Sequence, residues 1–206
     1  MFFTGIDQHR LRSTLTTFTA TGDQVGEATL PNDRATLVHY FARFPGPHQA
    51  VVEATGRWYW LRDMLVPAGI DLRLAHAKFL KAIAYAKVKT DAIDATTLGR
   101  LLRTGLIPEA HMIRDELRGP RDVLRARLRM VTRRSSAKNS LDRLLEKWNV
   151  PRVADRPPLY QVQAAAQTAL ISVLTEQIHA LEVSVRPALF EPPAVQRLLW
   201  IPGIAG

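Results

Sequence analysis

Residues 2–30 read FFTGIDQHRLRSTLTTFTATGDQVGEATL. Three extended segments stand out, at 2–7, 11–19 and 24–30. The middle one, Leu-Arg-Ser-Thr-Leu-Thr-Thr-Phe-Thr, is rich in residues that suit a pleated surface, and Thr21-Gly22-Asp23 supplies a turn into the third. Links this short join antiparallel neighbours, so the chain is expected to open on a meander.

Working outward, Pro31-Asn32-Asp33 reads as a helix start, and Leu37, Tyr40, Phe41 and Phe44 form an apolar stripe that ends before Pro45-Gly46-Pro47. A short strand follows at 49–54, then a helix from about Gly56 to Val66, a strand at 71–75 and a helical stretch from about Ala77 to Ala86. Thr90 looks like the cap of a helix reaching Arg103. The order βββαβαβα predicts an α/β fold: a mixed sheet flanked by helices, of the ribonuclease-H-like kind.

After Pro108 the pattern is helical only, interrupted between Pro151 and Pro158. The first long helix carries Leu117, Leu124, Leu128, Val131, Leu141, Leu144, Leu145 and Trp148 at intervals near three, four or seven, weakened around Ser135 and Ser136. The second carries Leu170, Leu174, Ile178, Leu181, Val185 and Leu189. The two either fold back as an antiparallel pair or pair between chains. The expected organisation is an α/β domain over 1–110, a basic helical, coiled-coil-like segment over 111–190, and a further segment over 191–206.

With 206 residues, 47% of them hydrophobic, the chain is long and apolar enough to bury a core. The absence of cysteine excludes a disulfide scaffold, a thiolate metal site and a cysteine nucleophile. No apolar run approaches the roughly 18 residues of a membrane span, so a cytoplasmic protein is expected. The net charge of +9 points to an anionic partner. It is concentrated between Arg114 and Arg152, where twelve basic residues face five acids and arginine outnumbers lysine ten to two. That stretch reads either as a solvated face or as a row of phosphate contacts, with Arg121, Arg125, Arg129, Arg133, Arg134 and Lys138 as its candidates.

Four carboxylates stand out by context. Asp7 ends the first strand among apolar neighbours, Glu53 ends the fourth, and Asp91 and Asp94 lie three apart on one helix face. Each also has a plain role open to it: an Asp at a strand end forms turns, Asp91 suits a first helical turn, and Asp94 has Lys87 or Arg100 within reach. Gathered together, four carboxylates need a positive partner, and a hard divalent cation that keeps positions open for water and phosphate meets that need. His9, two residues from Asp7, is the one histidine near them; the six histidines show no metal-ligand spacing. Arg57-Trp58-Tyr59-Trp60 either stacks on bases or packs its helix on the sheet. Lys87 and Lys89, just before the paired aspartates, either hold phosphate or are solvated.

Gly5-Ile6-Asp7, Glu53-Ala54-Thr55-Gly56 and Lys89-Thr90-Asp91-Ala92-Ile93-Asp94-Ala95, in this order and spacing, resemble the three signature blocks of the DEDD transposases of bacterial insertion sequences, the group related to the Piv DNA invertase. The resemblance covers roughly residues 3–150. It implies a RuvC-like catalytic domain, with Asp7, Glu53, Asp91 and Asp94 as a tetrad for Mg2+, or Mn2+ in its place. It further implies DNA as substrate, a structured guide RNA, a dimer or tetramer assembled through the long helices, and nucleoid association. Leu198-Leu199-Trp200-Ile201-Pro202-Gly203-Ile204-Ala205-Gly206 looks like the opening of the family's C-terminal serine domain, whose nucleophile position is absent from these 206 residues, so a truncated chain is expected. Two rival readings remain at this point: a structure-selective nuclease similar to Holliday-junction resolvases, and a nucleic-acid-binding fragment without catalysis.

Overall fold

The computed structural model describes residues 1–83, 90–149 and 157–191. The expected segment over 191–206 and the interruption at Pro151–Pro158 lie almost wholly outside the described residues, as do Lys87 and Lys89. The chain divides into two compact units, Met1–Met112 and a second from Ile113 onward.

The first unit is built on a five-stranded sheet in the order β3-β2-β1-β4-β5. β1 (Phe2–Gln8), β2 (Arg12–Thr19) and β3 (Gln24–Pro31) form the expected meander, antiparallel throughout. β4 (His48–Glu53) then pairs parallel with β1, and β5 (Ile70–Ala75) parallel with β4. The mixed sheet and its flanking helices form the α/β, ribonuclease-H-like arrangement that the element order predicts.

Alternation along the strands decides what each face carries. Phe3, Gly5 and Asp7 of β1 share a face with Thr14, Thr16 and Phe18 of β2 and, through the register Gly5↔Val51, with Val51 and Glu53 of β4. α4 (Asp91–Arg103) lies on this face, and Phe3, Val51 and Ala75 pack with its Leu98 and Leu102. Leu80 of α3 (Ala77–Ile83) packs on the same cluster. The opposite face receives α1 (Arg34–Ala42) and α2 (Tyr59–Leu65), which bury Leu37, Tyr40 and Phe41 and Leu61, Met64 and Leu65. Asp33 caps α1 by accepting from the Thr36 backbone N–H at 2.8 Å. Thr90 caps α4 by accepting from that of Ile93 at 3.3 Å.

The second unit is a pair of long helices, α5 (Asp115–Trp148) and α6 (Pro158–Phe190). Arg127 reaches Glu182 at 2.6 Å, Arg134 reaches Thr175 at 3.4 Å, and the Lys147 ammonium lies 5.5 Å from the Tyr160 ring centre. Numbers that rise along α5 fall along α6, so the helices run antiparallel within one chain. The seam differs from the expected stripe. Val123, Met130, Ala137 and Leu144 follow one another at seven-residue intervals on α5; Ala137 is buried and the other three are half-buried. Leu117, Leu124 and Leu128 are instead exposed, at 46%, 39% and 62%. With Ile113, Pro120 and Leu189 they line an open groove of about 390 Å³. On α6, Leu174, Ile178 and Val185 are buried as expected, whereas Leu170 is exposed.

Candidate active site

The contact that sets the site is between backbones. A Cβ on Gly5 would stand 1.9 Å from the Ala95 carbonyl oxygen and 2.4 Å from the Gly99 nitrogen, and one on Gly99 would stand 2.8 Å from the Phe18 ring. Only glycine at both places lets α4 settle directly on β1. Asp7 lies two residues beyond Gly5 along the strand. Asp91 lies one helical turn before Ala95, on the sheet-facing side. The close approach therefore brings the start of α4 to the end of β1.

There the Asp7 Oδ2 and Asp91 Oδ1 atoms flank one imidazole nitrogen, His9 Nε2, at 3.0 Å and 3.1 Å. One ligand atom from each of Asp7, His9 and Asp91 lies within 4.8 Å of the other two. The Arg12 guanidinium stands 3.9 Å from the second Asp91 oxygen. Asp7 is the least exposed of the three, with 19% of its side chain reached by solvent, against 45% for His9 and 42% for Asp91. Burial pushes the Asp7 carboxyl above the usual range; His9 opposes the shift, and the carboxylates of Asp94 and Asp91 add to it. The surroundings of Asp7 disfavour an uncompensated negative charge.

Asp94 is half-buried one turn along α4 from Asp91, close enough for its charge to act on Asp7. Glu53 is the last residue of β4 and half-buried. The parallel register, which runs to Ile6↔Val52, sets it as the next residue across from Asp7 on the same face. It is not one of the three residues whose ligand atoms converge. Asp7 and Asp91 are thus brought together, Asp94 acts on them through its charge, and Glu53 stands on the neighbouring strand. Sequence reasoning gave His9 only proximity to Asp7 and did not single out Arg12; the short link between β1 and β2, which must turn both back over the strand end, was the available signal.

The residues match the DEDD_Tnp_IS110 family model, described as "Transposase", over residues 4–149, which spans this site and all of α5. The chain belongs to the IS110-type DEDD transposases. No individual curated protein matches the sequence. The transposase is therefore a nucleic-acid-processing enzyme with DNA as its partner, of a group that generally uses divalent metals. Its donor set fits such an ion: carboxylate oxygens and one imidazole, around a carboxyl whose burial disfavours an uncompensated charge.

Among the basic candidates of the transposase, Arg121, Arg125, Arg129, Arg133 and Lys138 are exposed on α5. Arg134 is half-buried and turned to Thr175 of α6. Arg57 is exposed in the loop after β4, and its carbonyl accepts from the Gln8 side-chain amide at 3.2 Å. Trp58 beside it is buried and meets the Tyr59 ring edge-on at 4.5 Å, so this aromatic is packed within the fold rather than open to a base. No described helix is long and apolar enough to cross a membrane.

Proposed function

We propose that this transposase carries out magnesium-dependent phosphodiester chemistry at Asp7, Glu53, Asp91 and Asp94, directed to its DNA by a structured RNA. The observation that carries the reading is the convergence of Asp7, from the end of β1, and Asp91, from the start of α4, on a single point. Asp7 and Asp91 hold the cation, Asp94 adds negative charge to the pocket, and Glu53 completes the oxygen donors from β4. A divalent cation held there supplies Lewis-acid stabilisation for the charge that builds on a phosphodiester under attack. The protein's own part is to hold the carboxylates aligned on a rigid strand and helix.

The exposed arginines of α5 give the guide RNA or the DNA its phosphate contacts, joined by Arg57 and by Lys87 and Lys89, which precede the paired aspartates in the sequence. A catalytic domain over 1–110 and a basic helical segment over 111–190 divide these tasks. The long helices assemble the chain as a dimer or tetramer, and the protein works in the cytoplasm at the nucleoid.

The test is excision of the encoding insertion sequence in cells. Asp7→Asn and Asp91→Asn should each lower excision about a thousandfold or more, while salt-dependent binding to RNA and DNA stays within about twofold. Excision at the wild-type rate in either variant removes the metal role. Cleavage of a four-way DNA junction by the chain without any RNA would replace the guided reading with that of a structure-selective nuclease.

A further inference from the structure

His9 is the one member of the converging cluster that a purely carboxylate site does not require. Its turn is held from three sides. The His9 backbone N–H donates to the Arg12 carbonyl at 2.9 Å, its carbonyl accepts from the Asn32 side-chain amide at 2.9 Å, and the Asn32 side-chain oxygen accepts from the Ser13 hydroxyl at 2.7 Å. The imidazole is thus presented from a fixed backbone, with one side open to solvent. Its Nε2 faces two carboxylates at 3.0 Å and 3.1 Å but has a single proton to share between them. A cation that accepts the nitrogen lone pair satisfies all three groups at once. Adjacent ligand atoms on an octahedral ion with bonds of about 2.1 Å stand about 3.0 Å apart. The nitrogen already keeps that spacing to each oxygen.

Resting on the carboxylate-site reading above, we propose that His9 is itself a metal ligand, so that the Asp7–His9–Asp91 set binds an imidazole-accepting first-row ion such as Mn2+ more tightly than the Mg2+ assigned to the reaction. The reason is ligand type. Mg2+ demands oxygen donors and parts reluctantly with water, whereas an imidazole in the set favours the transition ions. The second carboxylate oxygen of Asp91 keeps its ion pair with the Arg12 guanidinium, at 3.9 Å, outside the set.

The test uses the 206-residue chain and MnCl2, with free Mn2+ followed by electron paramagnetic resonance and MgCl2 as competitor. Mn2+ should bind at least about tenfold more tightly than Mg2+. Spin-echo modulation of the bound Mn2+ should show a coupled imidazole nitrogen in the wild-type protein, a signature that needs no variant. His9→Ala, checked for folding by circular dichroism, should lose that modulation and weaken Mn2+ about tenfold, with a smaller effect on Mg2+. Wild-type Mn2+ without nitrogen coupling overturns the proposal, as does Mn2+ binding that is unchanged or tighter in His9→Ala. Asp7→Asn separates the two readings. Loss of both ions in Asp7→Asn alongside a silent His9→Ala removes His9 and leaves the carboxylate site standing; equal binding by wild type and Asp7→Asn removes the site itself.

Discussion

The two faces of the sheet are made from alternate residues of the same strands, and they are built to opposite ends. On the α4 face, β1 contributes Phe3, Gly5 and Asp7: a core residue, a bare backbone for α4 to rest on, and a carboxylate in a pocket that disfavours its charge. On the α1 face, β1 contributes Thr4 and Ile6, and here buried hydroxyls pair with one another. His48 Nε2 and the Thr17 hydroxyl each lie 2.7 Å from the Thr4 hydroxyl, and the Tyr40 hydroxyl lies 2.8 Å from that of Thr17. This chain of hydroxyls is buried, runs across three strands into α1, and is walled by the rings of Phe2, Phe41 and Phe44 around His48. One face gathers carboxylates around a single imidazole at the strand ends; the other pairs its hydroxyls with one another in the interior. Substitutions should therefore separate by face: those on the α1 side cost stability, and those at the carboxylates cost activity while leaving the fold intact or firmer.

The largest effect belongs to the one place where the carboxylate face is itself structural. Gly5→Ala drives a methyl into the Ala95 carbonyl and the Gly99 nitrogen, and these are backbone atoms that cannot turn aside. Overpacking of this kind should cost about 3 kcal/mol or more. Urea unfolding would read the loss, and Mn2+ binding should fall with it because Asp91 would no longer reach Asp7. An unchanged unfolding midpoint would show that α4 does not need the close approach.

The next effect tests the α1 face through pH. His48 is buried, and burial lowers its imidazole from 6.5 to about 4. Its Nδ1 has no hydrogen-bond partner among the described residues, which adds to the cost of placing a proton there. The unfolded chain takes up that proton at higher pH than the folded one. The stabilisation is therefore complete above pH 6.5 and is lost as pH falls from there through 4. At pH 4.5 the loss should be about 2 kcal/mol. His48→Gln should flatten this part of the profile, and an equally steep acid loss in the variant would assign it to other groups. A smaller cost, about 1 kcal/mol, is expected for Tyr40→Phe, which ends the hydroxyl chain one member early; thermal melts of the two proteins would measure it.

This division was legible in the sequence only in part. The meander, the parallel strands and the two capped helices could be read locally, because Asp33 and Thr90 act on backbone a few residues away and strand alternation is a nearest-neighbour property. The expected carboxylates could be named for the same reason, each standing at the end of a readable element. What brings Asp7 and Asp91 together could not be read, because it depends on Gly5 meeting Gly99 across 94 positions of chain. A glycine inside an apolar strand was the one available hint. In α5 the difficulty was choice rather than distance. A helix of 34 residues carries more than one apolar row, and the row that packs, Val123 through Leu144, is set by its partner α6, which left Leu117, Leu124 and Leu128 exposed.

The smallest effect carries the sharpest sign. Asp7 is held above the usual carboxylate range chiefly by burial, so the folded protein keeps its proton to a higher pH than the unfolded chain does. The contribution of this group to stability is therefore full below the ordinary aspartate range and is lost as pH rises through the folded value. At neutral pH the ionised side chain works against the fold, and Asp7→Asn, which keeps the shape and an acceptor for His9, should gain about 0.5 kcal/mol. In chelator-treated protein the gain should be present at pH 7 and vanish near pH 3. A loss at pH 7 would mean that the contact with His9 outweighs burial and that Asp7 serves the fold. A gain would mean that the carboxylate is kept at a cost to stability, as expected of a group whose use lies in what it binds.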